Sequence, residues 1–416
     1  MKLDQLPVEV LTHIFGQLAK GEDLASVSHT NKALYEVCMY DSLWTTPCLR
    51  ILERIQGSVE EDLQTQKYRT FYFDQVRINQ HVARLVDDLV NGSDEKNKAK
   101  AVDAVWKYGI RARDALIDAK QDPTRREKAD NLLQMVKHRQ ALDRMKDISN
   151  KPDDYQAVDL LSTVDSYYIG HELNPSKDNI FGDIINEVRT SDDIKFCSNP
   201  RNIQKAATVL AEVLFDHTRV KTSCGKASHT HCSNLLTPVL EEGIQGVDTI
   251  NVCIYSYIGA MYGLRISPVM LSQNGKFIDS NFARVDDPSK EEGFFLINML
   301  SRIVLSGIDM ADMLEPQRSI RLVSMNSPPS LPILAASTAL KRFKPQSYAT
   351  QIEQVNSVYA SCLLASLFSN DQDYFNQVQA STQPKSGSSL TLDYDTLRDE
   401  LTNNSTPSLY KQTLIN

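Results

Sequence analysis

The chain is 416 residues long, 41% apolar and 24% charged, an ordinary globular composition with room for two or three domains. Its net charge of −8, with basic residues scattered rather than clustered, argues against a nucleic-acid-binding surface. The seven cysteines are odd in number and mostly far apart, unlike a secreted disulfide framework, and no window reaches the roughly 18 apolar residues of a membrane helix, so a soluble protein of the cytoplasm or nucleus is expected.

In the first stretch, Pro7 suits the opening of a helix, where its missing N–H is not needed. Val10, Leu11, Ile14, Phe15 and Leu18 then recur at helical spacing and make one apolar stripe, which Gly21 is expected to stop. Asp23 opens a second short helix with Leu24 and Val27. A third starts near Asn31 with Leu34, Val37 and Cys38 on one side, and Asp41 begins a last turn ending at Leu43 and Trp44. Three such helices close too small a core to stand alone. Either they pack on residues further along, or their apolar anchors wait for a partner.

The order Leu6-Pro7, Val10, Ile14, Phe15, Leu18, then "DLASVS", then Leu43-Trp44 resembles the F-box over residues 4 to 46. The resemblance implies a helix bundle that docks onto the Skp-type adaptor of cullin-based ubiquitin ligases. It implies Leu6, Pro7, Val10, Ile14, Phe15, Leu18, Leu24, Val27, Leu43 and Trp44 as the adaptor-binding set. Uncovered apolar anchors with a Trp among them also have the composition of an interface hot spot.

From Glu60 to Lys151 the sequence is dense in charge and in helix formers. Phe71, Phe73, Val76, Ile78, Val82, Leu85, Val86 and Leu89 line one helical face, "NGSDEKNK" makes a turn, and two further helical runs lie around Val102 to Trp106 and Leu132 to Met145. Antiparallel packing of these helices makes a spacer. The basic run "RREKADNLLQMVKHRQALDRMK" is interleaved with Glu127, Asp130, Asp143 and Asp147, which reads as a solvated helix face.

Further on, "IQKAATVLAEVLF" carries Ala207, Leu210, Val213 and Leu214 at helical spacing. A helix from about Thr249 to Tyr262 leads through Gly263 into a strand-like "RISPVML"; "SQNG" turns the chain and "KFIDSNF" returns it. This order, with Val239-Leu240, Gly246-Val247, Tyr255, "YGLRISPV", Ile278-Asp279 and the upstream "LNPSKDN", is similar to the SirB-type branch of the transglutaminase-like fold, loosely from Tyr168 to Asp312. F-box, helical spacer and SirB-type domain in one chain are similar to a group of F-box proteins with the same domain combination.

A working cysteine transferase of that fold needs a thiol at the helix N-terminus, a His on the first strand and an Asp to orient it. Here the helix starts Val247-Asp248-Thr249, Ser272-Gln273-Asn274 stand where the SirB-type branch carries its His, and Asp279 alone of the set is in place. Cys253, about one turn in, is either a displaced nucleophile served by His217, His229 or His231 or, as expected, a core cysteine on an apolar helix. Cys224, His229, His231 and Cys232 in "CGKASHTHC" are the candidate zinc ligands. Their spacing leaves no room for two-knuckle geometry, so a polar loop without metal is expected.

Past Pro288, "GFFLINMLSRIVLSGIDMADML", "ILAASTALKRF" and "YATQIEQVNSVYASCLLASLF" are expected to be helical, and from about Ser381 the composition turns to Ser, Thr, Pro and Asn. The expected fold is mainly α: F-box at 1–50, helical spacer at 51–150, degenerate α+β SirB-type transglutaminase-like domain at 151–315, C-terminal helical region at 316–380 and a disordered tail at 381–416. The expected function is that of a non-catalytic substrate receptor without cofactor, partnered by a Skp-type adaptor, through it a cullin scaffold, and a protein substrate, with no nucleic acid or membrane partner. The alternatives are an active cysteine transferase or protease using Cys253, and an adaptor-bound protein with a non-degradative role.

Overall fold

The computed structural model describes residues 3–18, 20–55, 67–151, 154–169, 177–190, 202–216, 218, 220–221, 236–241, 243, 245–246, 248–269, 271–273, 276–278, 282–314 and 320–322, with 362, 376, 379, 394, 395, 399, 403, 406 and 407 singly. The described part is mostly helical with small antiparallel sheets. The chain divides into two compact units, residues 1–140 with 404–416 and residues 141–403.

The first unit opens with α1 (Val8–Phe15), α2 (Gly21–Ser28) and α3 (Lys32–Cys38), followed by a 3-10 turn at Asp41–Trp44 and α4 (Thr45–Ile55). Pro7 directly precedes α1, and its carbonyl accepts the first helical bond, from Leu11 N–H at 3.1 Å. Asn31 caps α3 by accepting from Leu34 N–H at 2.9 Å, which satisfies a donor that has no partner inside the helix. Gly21, expected as a stop, instead begins α2. It is needed there for closeness, since a β-carbon on it would lie 2.1 Å from the Tyr72 ring.

Next come α5 (Tyr68–Asn91), α6 (Glu95–Tyr108), α7 (Arg113–Ala119) and α8 (Arg126–Asn150); α7 is a short helix the apolar spacing did not announce. The start of α5 shares one core with the first helices: Phe71 and Tyr72 are buried with Leu11, Phe15, Leu24, Leu34, Val37, Cys38, Leu43, Trp44, Cys48, Leu52 and Ile55. Of the two covers open to the N-terminal helices, the later part of the same chain therefore takes the inner one. Behind this core lies a polar joint. Arg54 of α4 pairs with the buried Asp114 of α7 at 2.6 Å, and Asn79 of α5 donates to Asp114 at 3.0 Å. Gln75, fully buried, donates to the Arg111 carbonyl at 2.7 Å and accepts from Arg111 Nε at 3.1 Å.

The second unit contains α9 (Ala157–Ile169), α10 (Lys177–Thr190), α11 (Ile203–Asp216), α12 (Leu236–Glu241) and α13 (Asp248–Met261). The Asp165 carboxylate of α9 accepts from Leu236 N–H at 3.0 Å and from Thr237 N–H at 2.5 Å, filling the orphan donors that open α12. Helix α13 is buried on nearly all sides, and the Tyr255 hydroxyl donates to the Ala207 carbonyl of α11 at 2.6 Å. Gly263, at φ 74°, adopts the left-handed conformation that ends α13, with Leu264 N–H donating to the Gly259 carbonyl at 2.9 Å.

The strands that follow are β1 (Ile266–Pro268), β2 (Leu271–Gln273), β3 (Lys276–Ile278), β4 (Phe282–Asp286), β5 (Phe294–Asn298) and β6 (Val304–Leu305), then α14 (Gly307–Leu314) and β7 (Ile320–Leu322). They form two antiparallel sheets, β1-β4-β5-β6 and β3-β2-β7. The single hairpin expected from "RISPVML" and "KFIDSNF" is thus split. Ile266 pairs with Val285 in one sheet and Leu271 with Ile278 in the other. Pro268 has no N–H for a ladder, and β1 ends on it.

A second correction concerns "GFFLINMLSRIVLSGIDMADML". Only Gly307–Leu314 is helical; Phe294–Asn298 is a central strand between β4 and β6, with Phe295, Leu296 and Ile297 buried. A short continuous apolar run fits a strand covered on both faces as well as it fits a helix. The expected C-terminal helical region and tail lie outside the described residues except for β7 and the single positions.

Candidate functional site: an apolar face on the N-terminal helices

Most of the large apolar side chains of the first forty-four residues are either buried or exposed, with Leu6, Leu18 and Val27 between. In the buried, inner group Trp44 is 1% exposed, its indole N–H donates to the Cys38 carbonyl at 2.8 Å, and its ring lies 5.0 Å from Tyr72 and 5.1 Å from Phe73. These tilted contacts add to what burial of an aromatic provides. Leu11, Phe15, Leu24, Leu34, Val37, Cys38 and Leu43 are buried around it.

The outer group is Leu3, Val8, Val10 and Ile14 at and on α1, and Tyr35, Met39 and Tyr40 on and just after α3, ranging from 38% exposed at Ile14 to 51% at Tyr40. Pro7 is exposed as well. Val10 and Ile14 are four residues apart, as are Tyr35 and Met39, so each pair shares a helix face. Scattered apolar residues are normal on a protein surface; here seven of them lie on or next to two short helices that pack against each other.

The ten residues chosen from the sequence therefore occupy different layers. Pro7, Val10 and Ile14 are exposed, Leu6, Leu18 and Val27 are partly buried, and Phe15, Leu24, Leu43 and Trp44 are buried. Trp44, expected among uncovered anchors, is covered by α5, so in this arrangement it supports the face from below. Leu3, Val8, Tyr35, Met39 and Tyr40 are the exposed residues of this group that the sequence did not single out. The i, i+4 spacing of Tyr35 and Met39, flanking the buried Val37 and Cys38, was the signal available for α3.

The frame beneath the face is polar and specific. The Asp41 carboxylate caps α5, accepting from Tyr68 N–H at 3.2 Å and Arg69 N–H at 3.0 Å, and Cys48 Sγ donates to the Tyr68 carbonyl at 3.0 Å. Burial first, and then the Asp41 charge, push the Cys48 thiol up to about 12, and burial also raises Cys38. Both thiols stay protonated near neutral pH and act as packing groups rather than nucleophiles.

In the second unit Cys253 is 1% exposed on α13, with buried Val252 and Ile254 on either side. Asp279, His217 and the four candidate zinc ligands Cys224, His229, His231 and Cys232 lie outside the described residues. Among the described residues no group of three or more His, Cys, Asp or Glu side chains is placed to hold a metal ion, and no helix is long and apolar enough to cross a membrane.

Compared with known proteins, residues 3–50 match the model of the F-box-like family. The matched span takes in α1, α2, α3, the 3-10 turn and most of α4, and so contains the whole outer group. No curated protein and no solved structure matches the chain.

Proposed function

We propose that this chain is a substrate receptor of a Skp-cullin-F-box type ubiquitin ligase. The observation that carries the reading is the exposed apolar face of α1 and α3, which lies inside the F-box-like segment. A Skp-type adaptor covers that face and through it a cullin scaffold is recruited, in the cytoplasm or nucleus. The second unit, read as a degenerate SirB-type transglutaminase-like domain, presents the target; its helix Asp248–Met261 followed by antiparallel strands supports that reading. The chain contributes no bond-making chemistry. Holding a target lysine near the ubiquitin-charged enzyme raises the effective concentration of the two reactants. The depth of Cys253 speaks for this reading over a thiol enzyme, since an attacking thiolate has to meet its substrate.

The test is co-purification of the full chain with a Skp-type adaptor and cullin, for wild type and for a Leu6→Ala, Pro7→Ala double variant. Adaptor and cullin are expected with wild type and to be strongly depleted with the variant. Equal recovery from both would refute the docking assignment. Proteins bound by the second unit should also accumulate when the double variant replaces wild type; unchanged turnover favours a non-degradative role.

A further inference from the structure

Arg302 is the one non-glycine residue among those described that has a positive φ, at 59°. It closes the turn between β5 and β6, where Asn298 Oδ1 accepts from Leu300 N–H at 2.9 Å and Ser301 N–H at 3.0 Å, and the Arg302 N–H donates to the Asn298 carbonyl at 2.9 Å. Glycine takes this backbone conformation without strain; arginine does not. Strain of this kind marks positions where the side chain has work to do.

The side chain, 14% exposed, lies with its guanidinium carbon 5.1 Å from the centre of the Phe215 ring. Its Nη2 pairs with Asp216 at 3.3 Å, while Nε and Nη1 are buried with no acceptor. Asp216 itself is 56% exposed, so the single ion pair made by this fork is at the surface and weak. A guanidinium with one exposed partner and two unsatisfied buried donors is poorly housed, and a planar carboxylate is what its fork matches best. On either side along the chain Leu300 and Ile303 are exposed aliphatics.

We propose that the β5–β6 turn is a peptide-docking surface: an extended segment of a protein partner places an Asp or Glu carboxylate on Arg302, displacing Asp216, while aliphatic side chains flanking that acid cover Leu300 and Ile303. The incoming acid takes the place of Asp216 at Nη2 and draws the fork away from the Phe215 ring, so Asp216 acts as the internal competitor for it. The proposal extends the receptor reading by naming the chemistry of the target, and its test needs no adaptor, so the two stand or fall separately.

The experiment is fluorescence anisotropy on the full chain with two matched libraries of labelled peptides, one with a fixed Leu-Glu-Ile centre and one with Leu-Gln-Ile. Glutamate peptides should bind at least about tenfold tighter than their glutamine matches. Asp216→Asn should tighten glutamate binding. Arg302→Gly should abolish it in a chain that still unfolds in one cooperative transition: glycine is at ease at this φ although the contact with Phe215 is lost, and a folded variant separates loss of binding from loss of fold. The assignment is overturned if glutamate and glutamine peptides bind alike, if no glutamate peptide binds, or if Arg302→Gly keeps the affinity of wild type.

Discussion

A β-carbon at Gly21 would lie 2.1 to 2.5 Å from three atoms of the Tyr72 side chain, and Tyr72 is part of the core beneath α1 and α3. Gly21→Ala is therefore expected to cost about 1–3 kcal/mol of stability by overpacking, read from urea denaturation. In a Tyr72→Ala background the same substitution should cost much less, because the obstructing ring is gone. A neutral Gly21→Ala would show that the two helices do not meet this closely. The same contact explains a limit of reading the sequence. Helical spacing identifies Leu11, Phe15 and Leu34 as one-sided, and they are buried, but it cannot say which half of a wide apolar stripe is covered. The sequence around Trp44 does not show that it is covered, because the aromatic side chains that cover it, Tyr72 and Phe73, arrive from a helix that starts at Tyr68.

Helices were legible where their apolar period was long: Tyr68–Asn91, Ile203–Asp216 and Asp248–Met261 lie where the spacing put them. Among the short elements α1, α2 and α3 were legible too, but Arg113–Ala119 and Phe294–Asn298 were not. Phe294–Asn298 is a strand because β4 and β6 flank it, and such neighbours are not written in its own five residues. Contacts between elements are likewise set by side chains distant in sequence, as in the joint of Arg54, Asn79 and Asp114. Burial raises the Asp114 pKa above its ordinary 3.8, with the Arg54 charge partly opposing. A carboxyl whose folded pKa is raised favours the fold below its unfolded value and loses that contribution as pH rises through the folded value. Wild type should therefore lose stability relative to Asp114→Asn as pH climbs from 3.8 through that raised value, and the difference should then level off. Urea denaturation of both proteins over a pH series measures this. A difference that grows in wild type's favour over the same range would show that the Arg54 pair outweighs burial.

For the whole molecule, the candidate site was legible in outline. The spacing of Leu6-Pro7, the α1 stripe and Leu43-Trp44 located the F-box-like segment, whereas its division into a covered and an open side needed α5 in place. In the second unit the metal and thiol constellations depended on residues outside those described, and the Arg302 turn has a conformation that no periodicity reports. The proposed receptor function centres on the open side of α1 and α3. Hydrogen–deuterium exchange of the full chain with and without saturating Skp-type adaptor tests that centre most directly. Slower exchange over residues 8–15 and 35–40, with residues 71–89 of α5 unchanged, is the predicted result. Identical exchange of α1 and α3 with and without adaptor would contradict it.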